Sequence, residues 1–272
     1  MAEQVTVRRR IRRIDGTASS PAVDQLAAEE PLEIRVGGEA VSVTMRTPGS
    51  DFELAAGFCL TEGMLDDPDD IAHIRYCSGT DPETGLQTYN VVDIARRDGG
   101  TVPVDLRRNV YTSSSCGICG TASIEAVRRD YDDISDPVVV DRRVLSTLPD
   151  AMRAAQRMFD RTGGLHAAAR FDADGALLDL REDVGRHNAV DKLIGAAALA
   201  GELPLSGQVL MVSGRVAFEI VQKALRARIP VIAAVSAPTS LAVELAEDAG
   251  ITLAGFVRDD RMNIYTGQQR IT

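Results

Sequence analysis

Three runs decide the fold: Val209-Leu210-Met211-Val212, Val231-Ile232-Ala233-Ala234-Val235 and Ile251-Thr252-Leu253-Ala254-Gly255-Phe256-Val257. Each is short and almost continuously apolar, without the alternation of polar residues that marks a strand with one solvated face. The segments between them, from about Val216 to Arg228 and from Thr239 to Asp248, have helical spacing. Buried strands that alternate with helices are typical of a largely parallel sheet covered by helices, so the sequence predicts an α/β fold here.

The elements ahead of these runs belong to the same unit. Leu148, Met152, Ala155 and Phe159 have the spacing of a helix that ends at Gly163-Gly164. Two further strands flank Asp172-Ala173-Asp174-Gly175, a hairpin turn, and a helix with apolar Val190, Leu193, Ile194, Ala197 and Ala198 follows. The predicted α/β domain covers residues 141–272.

The first half of the chain has a different pattern. Pro31–Val36 and Val41–Met45 alternate like strands around Gly37-Gly38, and Ser50 with Glu53 indicates a capping box at the start of a helix. We predict a smaller α+β domain over residues 25–140. Residues 1–24 carry little apolar pattern and are predicted to form an extended, partly loose arm.

Composition limits the possible functions. The chain has 272 residues, 44% of them hydrophobic and 26% charged, with a net charge of −10. The negative charge argues against a general nucleic-acid binder, although Arg8-Arg9-Arg10-Ile11-Arg12-Arg13 is a local exception that we interpret as a solvated tail or edge strand. No apolar run approaches the roughly 20 residues of a membrane span. Four cysteines in a chain of this length do not make a disulfide framework, so we expect a cytoplasmic protein.

The segment Cys116-Gly117-Ile118-Cys119 contains two of the four cysteines. A thiol reacts as the thiolate, and both a neighbouring thiol and a helix N-terminus lower the pKa of a thiol. The Ser113-Ser114-Ser115 run before it and Gly120 after it favour an exposed loop. The sequence therefore predicts a reactive sulfur on a loop that ends the smaller domain.

Two alternatives for this segment are less favoured. A structural zinc site needs four ligands, and no second Cys-x-x-Cys or close His–Cys pair supplies the other two, so we predict no metal ligands. A thioredoxin-like disulfide switch normally follows the first strand of a βαβ unit, whereas an irregular, Ser-rich stretch precedes Cys116.

Polar loops follow the predicted strands of the α/β domain. Ligands of such sheets bind beyond the carboxyl ends of the strands, where helix N-termini favour anions. The candidate residues for an anionic ligand, a nucleotide or a pterin phosphate, are Arg186, His187, Ser213, Gly214, Arg215, Ser236 and Thr239. Taken singly, the hydroxyls are more often helix caps.

The run Phe256-Val257-Arg258-Asp259-Asp260-Arg261 suits either a phosphate site or a surface turn, and its composition leaves both open.

Several strings of this sequence resemble the FdhD/NarQ family, the formate dehydrogenase accessory sulfurtransferases, over roughly residues 28–267. They are Glu30-Pro31-Leu32, Met45–Gly49, Ser115–Gly120, Thr162–His166, Arg181–Lys192 and Val235–Ser240. The resemblance implies a sulfur carrier that takes sulfane sulfur from a cysteine desulfurase as a persulfide. It would pass the sulfur to the molybdenum cofactor, Mo-bis(molybdopterin guanine dinucleotide), for formate dehydrogenase. It also implies a homodimer.

The resemblance assigns roles to individual residues. It places the persulfide on Cys116, with Cys119 as its partner, and the cofactor segment on Phe256, Val257, Arg258, Asp259, Asp260 and Arg261. Guanosine diphosphate (GDP) is then the expected mimic of the cofactor. The rival interpretations are a chaperone that binds the cofactor without handling sulfur, and a zinc-stabilised adaptor.

The family is also similar to cytidine deaminases in its C-terminal fold. A zinc deaminase needs His-x-Glu at one helix start and Pro-Cys-x-x-Cys at the next. The corresponding starts here are His187-Asn188-Ala189 and Ser213-Gly214-Arg215-Val216, which lack the acid/base carboxylate and both thiolates. Hydrolytic deamination is therefore excluded at this site, and we hypothesise that the emptied metal pocket holds cofactor phosphates or guanine.

Overall fold

The computed structural model describes residues 5–77, 79, 89–102 and 133–272. The first part contains β1 (Thr6–Asp15), β2 (Ala18–Ala27), β3 (Glu30–Val36), β4 (Glu39–Arg46), α1 (Asp51–Thr61), β5 (Ile71–Tyr76) and β6 (Val91–Arg96). The second part begins with α2 (Arg142–Ala155), α3 (Arg157–Thr162), β7 (His166–Phe171), β8 (Leu177–Asp183), α4 (Arg186–Leu199) and β9 (Val209–Val212). It ends with α5 (Phe218–Arg226), β10 (Val231–Ala234), α6 (Ser240–Asp248), β11 (Thr252–Arg258) and β12 (Arg261–Thr266).

A six-stranded sheet in the order β12-β11-β10-β9-β7-β8 forms the centre of the second part. The mixed α/β fold predicted from the sequence is confirmed. Only β9, β10 and β11 are parallel to one another, whereas β7, β8 and β12 each run antiparallel to a neighbour. The expectation of a largely parallel sheet is therefore right only for the three middle strands. The short turns before β8 and β12 leave no length for the crossover that a parallel neighbour requires.

Helices cover both faces of this sheet. On one face, Leu210, Ile232 and Leu253 pack in a cluster with the apolar residues of α4, α5 and α6. On the other face, the alternate residues Met211 and Ala233 pack in a cluster with α2. Both faces of the middle strands are buried, which explains why those strands are apolar at every position. The sheet is the middle of three layers, and the similarity to cytidine deaminases stays a prediction.

The first part of the chain has a four-stranded sheet in the order β4-β3-β6-β5, with α1 packed on it. Helix α1 crosses α4 at an unusually short distance. A Cβ atom added to Gly57 would lie 1.9 Å from the carbonyl oxygen of Asp191, and one added to Gly195 would lie 1.8 Å from that of Glu53. The two glycines therefore allow backbone-to-backbone contact between the two parts of the chain.

The N-terminal segment differs from the predicted loose arm. Residues Thr6 to Asp15 pair antiparallel with Ala18 to Ala27 at ten successive positions. The turn between them contains Gly16 at φ +58°, a left-handed conformation that glycine adopts without steric cost. The segment is extended as expected, but it is a paired hairpin, and β2 continues past the boundary predicted at residue 24. The other domain boundaries stay predictions.

The helix start at Asp51 is also built differently from the prediction. Ser50 adopts a left-handed conformation at φ 57° and its side chain does not cap α1. The Glu53 carboxylate instead accepts two hydrogen bonds from Arg181 on β8, at 2.6 and 3.0 Å. The Glu53–Arg181 pair links the two parts of the chain, whereas a capping box would have bonded only within α1.

Across the described residues, none of the helices combines the length and apolar character needed to cross a membrane.

We predict that Gly57→Ala and Gly195→Ala each lower the thermal unfolding midpoint by about 5 to 10 °C, because the added methyl group forces α1 and α4 apart. Differential scanning calorimetry measures the effect. Gly164→Ala is the matched control, since its added Cβ would meet nothing closer than 3.8 Å. Unchanged midpoints for both helix variants would contradict the close crossing.

Candidate functional site

Five connections of the second part meet at one edge of the six-stranded sheet, which we call the strand-end edge. Because β9, β10 and β11 are parallel, the residues after Val212, Ala234 and Arg258 all lie there. Strand β7 is antiparallel to β9 and begins at this edge with His166, and β8 is antiparallel to β7 and ends there with Asp183. The edge thus collects every cofactor-binding residue that the sequence predicts in the described chain.

The centre of the edge is a cluster of His166, Arg186, His187 and Gly214. A Cβ atom on Gly214 would lie 3.3 Å from His166 Nδ1 and 3.4 Å from Arg186 Cδ, so glycine gives both side chains room. Arg186 Nε and His187 Nε2 are buried and have no hydrogen-bond partner among the described residues. The nearest carboxylate to His187 belongs to Glu219 of α5, at 3.9 Å. Such nitrogens occur elsewhere in the described chain as well, but these two belong to adjacent residues, and together they indicate a place for a polar ligand.

Both imidazoles of this cluster are held neutral. Burial lowers the pKa of His166, and the positive charge of Arg186 lowers it further. Burial also lowers the pKa of His187 to about 3, helped by the charges of Lys223, Arg186 and His166. At neutral pH each ring therefore keeps one nitrogen lone pair that can accept a hydrogen bond from a ligand.

Two of the predicted hydroxyl groups already have partners. Ser213 Oγ accepts a hydrogen bond from the backbone N–H of Ala167 at 2.9 Å, which ties the loop after β9 to β7. Thr239 Oγ1 accepts one from the N–H of Ala242 at 3.3 Å and caps α6. The capping interpretation thus holds for Thr239 and not for Ser213. Each hydroxyl keeps its hydrogen, so each can still donate to an anion.

Backbone hydrogen bonds join the loops along the edge. The N–H of Val216 donates to Ala237 O at 3.1 Å, and the N–H of Phe256 donates to Ser236 O at 3.2 Å. A Cβ on Gly255 would lie 3.0 Å from Pro238 Cδ. The structure therefore brings Ser236 next to Phe256, a residue that is 38% exposed.

The last predicted segment is the turn between β11 and β12. Arg258 and Arg261 pair across it, with Asp259 and Asp260 at φ 46° and 60°. Arg258 and Arg261 are exposed, as is Arg215 in the loop after β9. Val257 is different, because its side chain is buried in the core and only its backbone can meet a ligand. The arrangement offers three exposed guanidinium groups along the edge.

Sequence patterns undervalued His166. A histidine at a strand end is more often a core or edge residue than a ligand, and His166 is not among the candidate residues predicted from the sequence. The structure places it against Gly214, where the charge of Arg186 helps to lower the pKa of His166 and His166 helps to lower the pKa of His187. Its position in the string Thr162–His166, which carries the family resemblance, was the available signal.

A buried polar network supports the start of α4. Lys192 Nζ lies 2.7 Å from Asp183 Oδ2 and donates to Thr47 O at 2.8 Å. Asn188 Nδ2 donates to Asp183 Oδ1 at 3.0 Å and to Met45 O at 2.8 Å. The network connects the end of β8, the first turns of α4 and the end of β4. It fixes the first turns of α4, and with them the backbone of Arg186 and His187.

The predicted sulfur-handling pair, Cys116 and Cys119, lies outside the described residues, and its role stays a prediction. Cys59 is fully buried on α1, and burial raises the pKa of its thiol, which makes it a poor nucleophile. Cys77 is half-buried at the end of β5. Within the described ranges, no group of three or more His, Cys, Asp or Glu side chains is arranged to bind a metal ion.

The lowered pKa of both histidines predicts how stability depends on pH. Between about pH 6.5 and pH 5 the unfolded chain binds a proton at the ring of His187 that the folded chain does not bind, and the folded chain also binds fewer protons at His166. The contribution of these rings to the unfolding free energy should therefore fall as the pH decreases through this window. The buried carboxyl of Asp191, whose pKa is raised to about 6, takes up a proton in the folded chain below that pH and contributes in the opposite direction. Urea unfolding at a series of pH values measures this slope, and His187→Gln should reduce it.

The matched control for this experiment is His73→Gln, at an exposed position of β5, which should retain the native slope. A His187→Gln slope equal to the native one would mean that the buried ring is not what makes stability sensitive to pH. Nitrogen-15 chemical shifts of the rings report the neutral state directly.

Comparison with known proteins places this chain in a family. The model of the FdhD/NarQ family matches residues 27–272. A protein of Streptomyces avermitilis named sulfur carrier protein FdhD is 56% identical over 272 residues, covering 98% of this chain and 96% of that protein. One of the same name from Mycolicibacterium paratuberculosis is 55% identical over 271 residues, covering 98% and 99%.

A solved structure is similar in fold. It is a crystal structure from Desulfotalea psychrophila described as a formate dehydrogenase accessory protein, and the two superpose with a TM-score of 0.77 at 22% identity. The alignment covers 98% of this chain and 100% of the other. At that identity the likeness concerns the fold alone, whereas the family match and the relatives above half identity concern the whole sequence. This chain belongs to the FdhD/NarQ family.

Proposed function

We propose that this chain is a sulfur carrier for the maturation of formate dehydrogenase, and that it acts as a sulfurtransferase. Cys116 would accept sulfane sulfur from a cysteine desulfurase as a persulfide. The sulfur would then pass to Mo-bis(molybdopterin guanine dinucleotide) held at the strand-end edge. Family membership and the name of the close relatives, sulfur carrier protein FdhD, support the sulfur-handling part.

The observation that carries the cofactor part is the pair of buried nitrogens without partners, Arg186 Nε and His187 Nε2. Arg186 can donate to phosphate oxygens or to the O6 and N7 atoms of guanine. The neutral ring of His187 can accept from an N–H or O–H group. A nucleotide offers both complements within one molecule. We infer that the Arg186–His187–Gly214 cluster contacts the nucleotide end of the cofactor.

Charge supports the same location. The cofactor is strongly anionic and the chain carries −10, so binding requires that positive groups be concentrated locally. Arg186, Arg215, Arg258 and Arg261 provide them along one edge, with the exposed ring of Phe256 beside them for stacking on a base. The carboxylates of Asp259 and Asp260 lie in the same turn and limit the net charge there.

The sulfur step follows from thiolate chemistry. The Cys116 thiolate attacks the outer sulfur of the desulfurase persulfide, forms a new S–S bond, and releases the desulfurase cysteine as a thiolate. The product is a persulfide on Cys116, with no net oxidation or reduction. Cys119, three residues further, would stabilise or resolve it. We also propose that the protein works in the cytoplasm as a homodimer, as the family resemblance implies.

We predict that Arg186→Gln weakens GDP binding by about tenfold or more, since one charge-assisted hydrogen bond and a positive charge are lost. Isothermal titration calorimetry with GDP measures the affinity. Arg97→Gln, at an exposed position that follows β6 of the four-stranded sheet, is the matched control and should bind like the native chain. Equal affinities for the two variants would remove Arg186 from the nucleotide site.

We predict that Cys116→Ala abolishes persulfide formation after incubation with a cysteine desulfurase and free cysteine. Intact-mass spectrometry detects the gain of one sulfur atom and its loss on reduction. Cys77→Ala is the control and should still gain sulfur. A labile sulfur gain on Cys116→Ala would show that another residue is the acceptor.

The rival functions give different results. If formate dehydrogenase activity survives replacement of both Cys116 and Cys119 by Ala, the chain is a cofactor chaperone and not a sulfur carrier. Stoichiometric zinc in the purified protein, lost on replacing these cysteines, would instead indicate the adaptor.

A further inference from the structure

The β1–β2 hairpin is positively charged, although the chain as a whole is negatively charged. Strand β1 contains five arginines within six positions, Arg8, Arg9, Arg10, Arg12 and Arg13, and all five are exposed. The hairpin has only two carboxylates, Asp15 and Asp24, in a chain whose net charge is −10. Among the described residues, the hydrogen bond that these guanidinium groups make joins Arg12 Nε to Ser19 Oγ at 2.6 Å. Their charge is thus available to a partner.

One edge of this hairpin is open. Strand β2 contacts α3 and contains Pro21, which has no N–H and is tolerated only where a strand edge needs no partner. Strand β1 has no proline and pairs with β2 on one side, and its other side has no strand partner in the described part of the chain. Ten residues of extended backbone, about 33 Å, therefore present unpaired N–H and C=O groups.

The side chains along this edge follow the alternation of a strand. Arg8, Arg10 and Arg12 share one face at a spacing of about 7 Å, and Arg9 and Arg13 share the other. Across the pairing, Val23 lies opposite Arg10, and it is 60% exposed. An isolated two-stranded hairpin gains little stability from its own contacts in water. A partner strand would therefore pair the open backbone groups of β1 and cover the exposed side chain of Val23.

The charges decide what kind of strand fits. A second copy of β1 would set arginines opposite arginines, which destabilises a cross-strand pair. A long polyanion such as nucleic acid would also meet the acidic remainder of the chain. A short extended segment with carboxylates at alternate positions meets neither obstacle, because each carboxylate lies opposite an arginine on the same face.

We propose that the open edge of β1 binds an extended acidic segment of a partner protein, which adds to the hairpin as a third strand. The surface lies before residue 27, where the family match begins, and consists of residues other than those of the strand-end edge. The inference does not depend on the function proposed above. It supplies the chain with a docking surface in addition to the strand-end edge.

The test uses the full chain and a fluorescein-labelled peptide of about ten residues in which Glu alternates with Thr and Val. In salt of about 0.15 M, fluorescence anisotropy should show saturable binding. Arg10→Gln/Arg12→Gln should weaken it by about tenfold, while Arg142→Gln/Arg143→Gln, with the same change of charge on α2, should not. Hydrogen exchange should slow at amides of residues 6–15 when the peptide binds.

Three controls separate strand addition from simple charge attraction. A peptide of the same sequence, N-methylated at alternate positions on the edge that faces β1, should lose binding, because it cannot form the ladder. Equal binding of this peptide, or of a single-stranded oligonucleotide of the same charge, would overturn the proposal in favour of a general polyanion surface. Absence of binding by the unmodified peptide would overturn it too, and the arginines would then serve to keep the edge unpaired. Circular dichroism confirms that each variant is folded.

Discussion

The buried ion pair between Asp183 and Lys192 supports the rest of the structure. Both side chains are almost completely inaccessible, and their remaining hydrogen-bonding capacity is used by Thr47, Asn188 and Gly185. Loss of one member of a fully buried pair leaves a charge without a partner, at a cost of about 3–5 kcal/mol. The pair joins the last residue of β8 to the second turn of α4, so it sets the direction in which α4 leaves the sheet.

The same pair ties the two parts of the chain together. Thr47 follows β4 of the four-stranded sheet, and its N–H donates to Asp183 at 3.1 Å while its carbonyl accepts from Lys192. One residue before Lys192 on α4, Asp191 lies 3.0 Å from Lys223 Nζ, which also lies 2.8 Å from Glu62 at the end of α1. Burial raises the pKa of Asp191 to about 6, against the opposing effect of Lys223. Charged contacts of this kind are directional, and together with Gly57 and Gly195 they specify one register between α1 and α4.

The position of the strand-end edge follows from the same contacts. Parallel strands bring their carboxyl ends to one edge, and the antiparallel strands β7 and β8 add His166 and the Asp183–Arg186 connection to it. Arg186 and His187 project from the first turn of a helix that the buried network holds. Their unsatisfied nitrogens are costly in the free protein, and such a cost is commonly kept where a ligand removes it. The neutral state of His187 depends on the same burial.

The sequence by itself determined the α/β fold of the second half, the places of its loops and the family. Apolar runs, turn residues and the string Arg181–Lys192 are local patterns. They can be interpreted from neighbouring residues alone, without knowing what packs against them. Tertiary structure alone decided that β7 runs antiparallel to β9 and β12 to β11, that Glu53 pairs with Arg181, and that residues 6–27 form a hairpin. It also decided the position of His166, because the contact with Gly214 joins residues 48 positions apart. Such contacts depend on which strands become neighbours in the sheet, and the spacing of residues along the chain does not predict which strands those are.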